Sequence, residues 1–431
     1  MIVKPEPAQF QIGVDLGTSF TKACFYSFDK DERTIVSWET ASTYSQKGLL
    51  PSSIYLTKSN YLCLEKPAEE SPLKIKYFKM ALAGQFIGKP IYLYQRTKNE
   101  SYKIYTAFYL ARVFAEIEKQ IKKQYRVFLS DREIIYSVSL GIPVQYQDDS
   151  RIKEKFSEVL QAAWYMYPKI GKEESIQVID MLYSESLQKP NNPDLDTVPE
   201  LWAETAGMFT HSFTREGYYA IFDIGGGTVD GTLVKYTRHN GRHSIEFITA
   251  EVAPIGLEVA VHNMIIALGQ DNAYDIRSLL LNSNKADFRE LKILQNEVNK
   301  HTARVIIDAK SKGCTIGLEY KDLPVIICGG GNSSGWYRNA IFSTYKIFQH
   351  YNCGIPPYKP YKINEAQGVF SGIHHSDMHR YLVAVGLSIP QGSGPEILGF
   401  PSQYPINIKL LNCDEPTDFD DVQFNIYGEY C

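Results

Sequence analysis

The chain has 431 residues and a mass of 49.0 kDa, which at about 150 residues per domain means two or three domains or one large two-lobed body. Hydrophobic residues at 44% and charged residues at 22% exclude wholesale disorder and a collagen-like or coiled-coil rod. Lys plus Arg is 45 against 49 Asp plus Glu, and a formal charge of −4 excludes a nucleic-acid binder that works by neutralising phosphates.

In chain order, short strand-like runs alternate with long helical ones, the pattern of an α/β protein. QIGVDL at 11–16 reads as a strand, followed by a Gly-Thr turn and a second strand, KACFYSF at 22–28. Residues 101–124 read as a helix, with Leu110, Val113, Ile117 and Ile121 on one face and a solvated basic tail, KQIKK. EIIYSVSLGIP at 133–143 is strand-like and ends at Pro143. The next helix carries Ile152, Phe156, Val159 and Ala163 on one stripe, with Asp149 or Ser150 as its cap. SLQKPNNPDLDTVP at 186–199 reads as a loop. YYAIFDIGGGTVDGTLVKY at 218–236 restarts the strand, Gly turn, strand pattern. A helix over 289–307 places Leu291, Leu294, Val298 and Val305 on one side, and PVIICGGG at 324–331 is a buried strand entering a Gly turn. From about residue 390 the chain is rich in Pro, Gly and acid and reads as a peripheral tail.

No apolar stretch approaches the ~20 residues of a membrane span, and MIVKPEPAQF lacks the apolar core of a secretory signal. Seven scattered Cys without a CxxC pair predict reduced thiols in a cytoplasmic protein. Cys413 and Cys431 alone are too few ligands to define a metal site. HHSDMH, with His374, His375, Asp377 and His379, lacks strict ligand spacing and reads as a surface turn. There is no GxxxxGK[ST], no GxGxxG in a βαβ unit, no HExxH and no GxSxG, so P-loop, dinucleotide, zincin and hydrolase-elbow chemistry have no support.

Three Gly-rich turns carry the chemistry. In GVDLGTSFTK (13–22) a strand delivers Asp15 to a turn where Gly17, Thr18 and Ser19 form a concavity able to cradle phosphate through N–H groups. Lys22 follows as a phosphate-neutralising cation, and Asp15 suits a hydrated divalent cation, because a carboxylate repels phosphate. FDIGGGTVD (222–230) repeats the design with Asp223, Gly225, Gly226, Gly227, Thr228 and Asp230. Three adjacent Gly are entropically costly and favour close approach of backbone to a ligand. CGGGNSSGW (328–336) ends a strand in Gly329, Gly330, Gly331 and Asn332, room for a flat ring or a phosphate. Glu297 and Lys300 lie three apart on one helical face, read alone as a surface ion pair.

These turns, in this order, resemble the phosphate-1, phosphate-2 and adenosine motifs of the actin, sugar kinase and seventy-kilodalton heat-shock (DnaK-type) ATPase superfamily. LLPSSIYL (49–56), LGIPVQYQDDSRIKEKF (140–156), AETAGMF (203–209) and RYLVAVGLSI (380–389) resemble segments of the DnaK-type branch. The resemblance spans about residues 10–390. It implies a two-lobed actin-like fold of duplicated ribonuclease-H-like domains, with ATP or ADP and Mg²⁺ in the cleft between them. Lobe I would cover 1–210, with a small insertion at about 40–105. Lobe II would cover 211–390, with an insertion at about 256–321, and 391–431 would be a tail. Asp15 and Asp223 would hold the hydrated Mg²⁺. Gly17, Thr18, Ser19, Gly225, Gly226, Gly227 and Thr228 would touch phosphates, and Glu204 would stand near the attacking water. Glu297, Lys300, Gly329, Gly330, Gly331 and Asn332 would border the adenosine. The chaperones bring a catalytic Lys from the first-lobe insertion, for which Lys74, Lys76 and Lys79 are candidates; Lys22 matches the actins instead, and His301 stands where the family has Arg. The implied function is a slow, Mg²⁺-dependent ATPase acting as a chaperone-like conformational switch on a protein partner, without the usual substrate-binding domain. An actin-like filament protein and a small-molecule (sugar) kinase are the alternatives.

Overall fold

The computed structural model describes residues 5–38, 48–69, 71–84, 93, 96–143, 150–209, 215–269, 273–282, 291–312, 321–361 and 375–399. The protein is α/β and divides into two compact units, Met1–Met208 with Glu365–Gly394, and Phe209–Asn364 with Pro395–Cys431.

The first unit contains β1 (Ala8–Leu16), β2 (Phe20–Ser27), β3 (Glu32–Ile35), β4 (Leu50–Pro51), β5 (Ser53–Leu56), β6 (Tyr61–Cys63), β7 (Leu73–Lys76), β8 (Ile134–Ile142), β9 (Glu173–Ser175) and β10 (Leu195–Pro199). Its main sheet runs β10-β8-β1-β2-β3, with β4 beside β2. The β1–β2 and β2–β3 pairs are antiparallel, and β1–β8 and β8–β10 are parallel. A smaller antiparallel sheet is ordered β7-β5-β6-β9. The helices are α1 (Phe78–Leu82), α2 (Lys98–Gln124), α3 (Ser150–Met166), α4 (Ile176–Ser186) and α5 (Glu200–Phe209). Helix α2 begins in a reciprocal capping box: Thr97 Oγ1 accepts from the Glu100 amide, and the Glu100 carboxylate accepts from the Thr97 amide. The expected stripe Leu110, Val113, Ile117 and Ile121 is completely buried, and each such side chain stabilises the fold by roughly 1.5–3 kcal/mol relative to exposure. In α3, Phe156, Val159 and Ala163 are buried as expected and Ile152 is half-buried; Asp149 lies outside the described residues. A short helix, Leu382–Leu387, returns from late in the sequence to cover β1. It fits because Gly13 has no side chain, and a Cβ there would lie 2.5 Å from the Ala384 carbonyl oxygen.

The second unit contains β11 (Gly217–Ile224), β12 (Val229–His239), β13 (Arg242–Ala253), β14 (Leu323–Cys328), β15 (Tyr358–Pro360) and β16 (Glu396–Leu398). Its sheet runs β15-β14-β11-β12-β13-β16. The first three strands are again an antiparallel meander, and β14 and β15 again add in parallel on the other side of the first strand. Strand order and direction thus repeat across the two main sheets. The helices are α6 (Leu257–Leu268), α7 (Ala273–Asn282), α8 (Lys292–Ser311) and α9 (Gly335–His350). In α8 the expected face Leu294, Val298 and Val305 is buried, as is Leu291 at its cap.

Three expectations are corrected. Residues 195–199, read as loop, form β10, because pairing with β8 outweighs local composition; Pro199 is accommodated at the end of an edge strand. Residues 396–398, read as tail, pair in parallel with β13. Cys24, Cys63 and Cys328 are free thiols as expected, but Cys353 is disulfide-bonded, with its partner outside the described residues. Cys413, Cys431 and His374 also lie outside them. Among the described residues no helix is long and apolar enough to cross a membrane.

Candidate functional site

In the first unit the carboxyl ends of the three parallel strands converge. Asp15 follows Val14, which registers with Leu140; Gly141 registers with Val198; and Pro199 ends β10 immediately before Glu200. Strand carboxyl ends are where open α/β sheets place their ligands. Asp15 is buried and registers across the hairpin with Lys22, whose ammonium is ion-paired to it. The Gly17 amide donates to the Asp15 carbonyl at 3.1 Å, and a side chain at Gly17 would collide with the Phe20 carbonyl, so this tight turn requires glycine. Thr18 is buried in the turn, and the Ser19 carbonyl accepts from the Ser52 amide at 2.9 Å. A buried hydroxyl pair, Thr21 and Ser52 at 3.0 Å, braces the hairpin against β4.

Of the three candidate lysines, Lys74 and Lys76 are exposed on β7, near the rings of Tyr55 and Tyr77. Lys79 on α1 points inward and pairs with Glu200 at 2.5 Å, with the two side chains only 12% and 7% exposed. Glu200 is a residue the sequence reading missed. Its signal was Pro199-Glu200, an acid opening a helix right after a strand, and that signal was hidden because the strand read as a loop. Glu200 also packs on Gly141, where a Cβ would lie 2.9 Å from Glu200 Cγ. Glu204 is buried one turn further along α5.

In the second unit Asp223 registers directly opposite Asp230 across β11–β12, where the first unit has Asp15 opposite Lys22. Asp230 is buried and Asp223 half-buried. The loop 225–228 sits on the start of α6. Amides of Gly256, Leu257 and Glu258 donate to the carbonyls of Gly227, Gly225 and Gly226 at 3.2, 3.0 and 2.7 Å. A Cβ at Gly256 would lie 2.6 Å from the Gly226 carbonyl oxygen, so the loop and helix are in contact through backbone. With its carbonyls spent on α6, the loop keeps the amides of Gly226, Gly227 and Thr228 uncommitted among the described residues. Successive uncommitted N–H groups form an anion-binding surface.

The third turn closes on the same strand end. Gly329 has φ of 75°, and any Cβ there would overlap Asp223 Oδ1. Gly331 abuts Ile224, while Gly330 faces open space and Asn332 is half-buried. Asp223, Gly225–Thr228 and Gly329–Gly331 are therefore brought together. On α8, Glu297 and Lys300 pair with each other at 2.9 Å. His301 turns the other way, into the core: it is buried beneath Gly231, and burial pushes its pKa down to about 3, with the Arg304 charge adding to the effect.

Two carboxylates facing each other at one register position repel unless a cation lies between or beside them. Among the described residues no group of three or more His, Cys, Asp or Glu forms a metal cage. Mg²⁺ keeps most of its water and needs only one or two carboxylates, and Asp223 and Asp230 stand at one register position of β11 and β12. Asp15 stands beside Lys22 in the corresponding hairpin of the first unit. No protein-family model matches the chain, and no curated protein matches it.

Proposed function

We propose that this protein is a Mg²⁺-dependent ATPase of the actin, sugar kinase and seventy-kilodalton heat-shock superfamily, most like a DnaK-type nucleotide-binding domain. The observation that carries the reading is the repeat within the chain. Each unit has a sheet of the same order and direction, and in each the first hairpin bears an Asp followed by a Gly-Thr or Gly-Gly-Gly-Thr turn. Duplicated ribonuclease-H-like domains are the simplest account of that repeat.

On this reading the amides of Gly226, Gly227 and Thr228, and the Gly17–Ser19 turn, receive phosphate oxygens. Asp223 with Asp230, and Asp15, hold Mg²⁺ through water. When bound, the ion neutralises charge developing on the phosphates. Lys22 and Lys79 supply fixed positive charge, and Glu200 or Glu204 orients the attacking water. Such catalysis is mostly positioning and electrostatics, so turnover is slow without a partner. Gly329–Asn332, Glu297 and Lys300 border the adenosine. Nucleotide state is communicated to a protein partner in a chaperone-like switch. The Asp15–Lys22 pair favours one second reading, an actin-like filament protein, which ATP-dependent pelleting tests.

The primary test is calorimetric titration with ATP, with and without Mg²⁺, beside phosphate release. Wild type binds and hydrolyses; Asp223→Asn loses Mg²⁺-dependent binding and turnover. Saturating Mg²⁺–ATP that gives neither heat, thermal shift nor phosphate overturns the proposal.

A further inference from the structure

At the opposite end of the parallel strands from Asp15 and Glu200, the start of β8 borders an open pocket of about 530 Å³. That volume is within the range of small-ligand sites. Its wall is aromatic. Trp164 and Tyr167 have centroids 4.6 Å apart, and Tyr136 meets Trp164 edge-on at 6.0 Å. Glu118 on α2 lies beside both tyrosines. Burial first and then its charge raise the pKa of Tyr136, and the same two causes push Tyr167 up to about 12. Both phenols are therefore protonated donors at neutral pH. Tyr136 is 9% exposed, and its hydroxyl faces the Glu118 carboxylate.

The charges in the pocket are unequally committed. Arg132 pairs with Asp29 at 3.1 Å and covers the Phe128 ring at 4.2 Å. Lys122 pairs with Glu118 at 3.0 Å along α2, but this lysine is 56% exposed and the pair is the weak surface kind. Asp194 on the rim has no ion-pair partner among the described residues. The uncommitted charge is thus negative, and it stands beside ring faces, which attract cations.

We propose that this pocket binds an organic ammonium group, with Trp164 and Tyr167 supplying ring faces and Glu118 and Asp194 the counter-charge. Lys122 acts as an internal competitor for Glu118. The ammonium comes either from a lysine side chain of a polypeptide or from a free quaternary amine. The site is separate from the nucleotide site proposed above, so its test is independent of ATP binding.

Calorimetric titrations with choline, with a blocked lysine tripeptide and with inorganic phosphate decide the matter. Choline or the tripeptide binds the wild type saturably, and the tighter of the two identifies the source. Glu118→Gln weakens binding about tenfold, and Lys122→Ala strengthens it several-fold by releasing Glu118. Unchanged thermal unfolding of both variants shows that they are folded. Failure of both amines to bind wild type and Lys122→Ala at about 10 mM, or phosphate binding that Lys122→Ala abolishes, overturns the proposal.

Discussion

Lys79 and Glu200 form a buried ion pair whose two halves come from segments 121 residues apart. Removing one partner strands a charge away from water, so Lys79→Ala should lower unfolding stability by about 3–5 kcal/mol, and Lys79→Met with Glu200→Leu should recover most of it. Urea titration of the three variants checks this; equal losses in single and double variants would refute the pairing. Gly329 sits at positive φ against the Asp223 carboxylate. Gly329→Ala should cost about 1–3 kcal/mol and weaken nucleotide binding at the same time, because relief requires Asp223 to move. His301 is a core histidine that stays neutral when folded, whereas in the unfolded chain it titrates near 6.5. Acid therefore favours unfolding from about pH 6.5 down to about 3, adding roughly 1.4 kcal/mol of destabilisation per pH unit. His301→Gln should flatten stability between pH 6.5 and 4; an unchanged slope would place the proton elsewhere.

Elements in the first unit meet through missing side chains. On the helix Leu382–Leu387, Gly386 lies on the Ala203 backbone of α5, where any Cβ would overlap the carbonyl; Gly207 of α5 likewise abuts Leu382, and Gly13 of β1 lies under Ala384. The late helix is thus keyed to its place by three glycines on three elements. Gly386→Leu should cost several kcal/mol, of the order of the largest overpacking effects, while the same change at Gly394, whose nearest neighbour is the Ile389 side chain, should cost far less. Thermal unfolding of the pair distinguishes them. On α2, Thr97→Ala removes the N-terminal cap and should cost about 1 kcal/mol.

At the scale of the molecule, the recurring strand order gives each unit its own Asp-bearing hairpin. If both serve one Mg²⁺–ATP, Asp15→Asn and Asp223→Asn should each remove most of the ATP-induced stabilisation, which for wild type at a hundredfold excess over Kd amounts to about 2.7 kcal/mol. A variant that keeps the full shift would show that its unit takes no part.

Much of this architecture is local and so was readable in advance. Helical stripes such as Leu110, Val113, Ile117 and Ile121 follow from side-chain periodicity, and hairpins joined at Gly17 and at Gly225–Gly227 follow from the lack of a Cβ, which lets backbone pass close. The chain by itself therefore determined the α/β class, the two similar hairpins, and the placing of Asp15 and Asp223 at strand ends. It did not determine that residues 195–199 and 396–398 are strands, because their hydrogen-bond partners lie far away in sequence. Nor did it determine that Lys79 rather than Lys74 or Lys76 turns inward to Glu200, or that His301 faces the core. Those outcomes depend on which distant surfaces remove a group from water, and only the tertiary structure decides that.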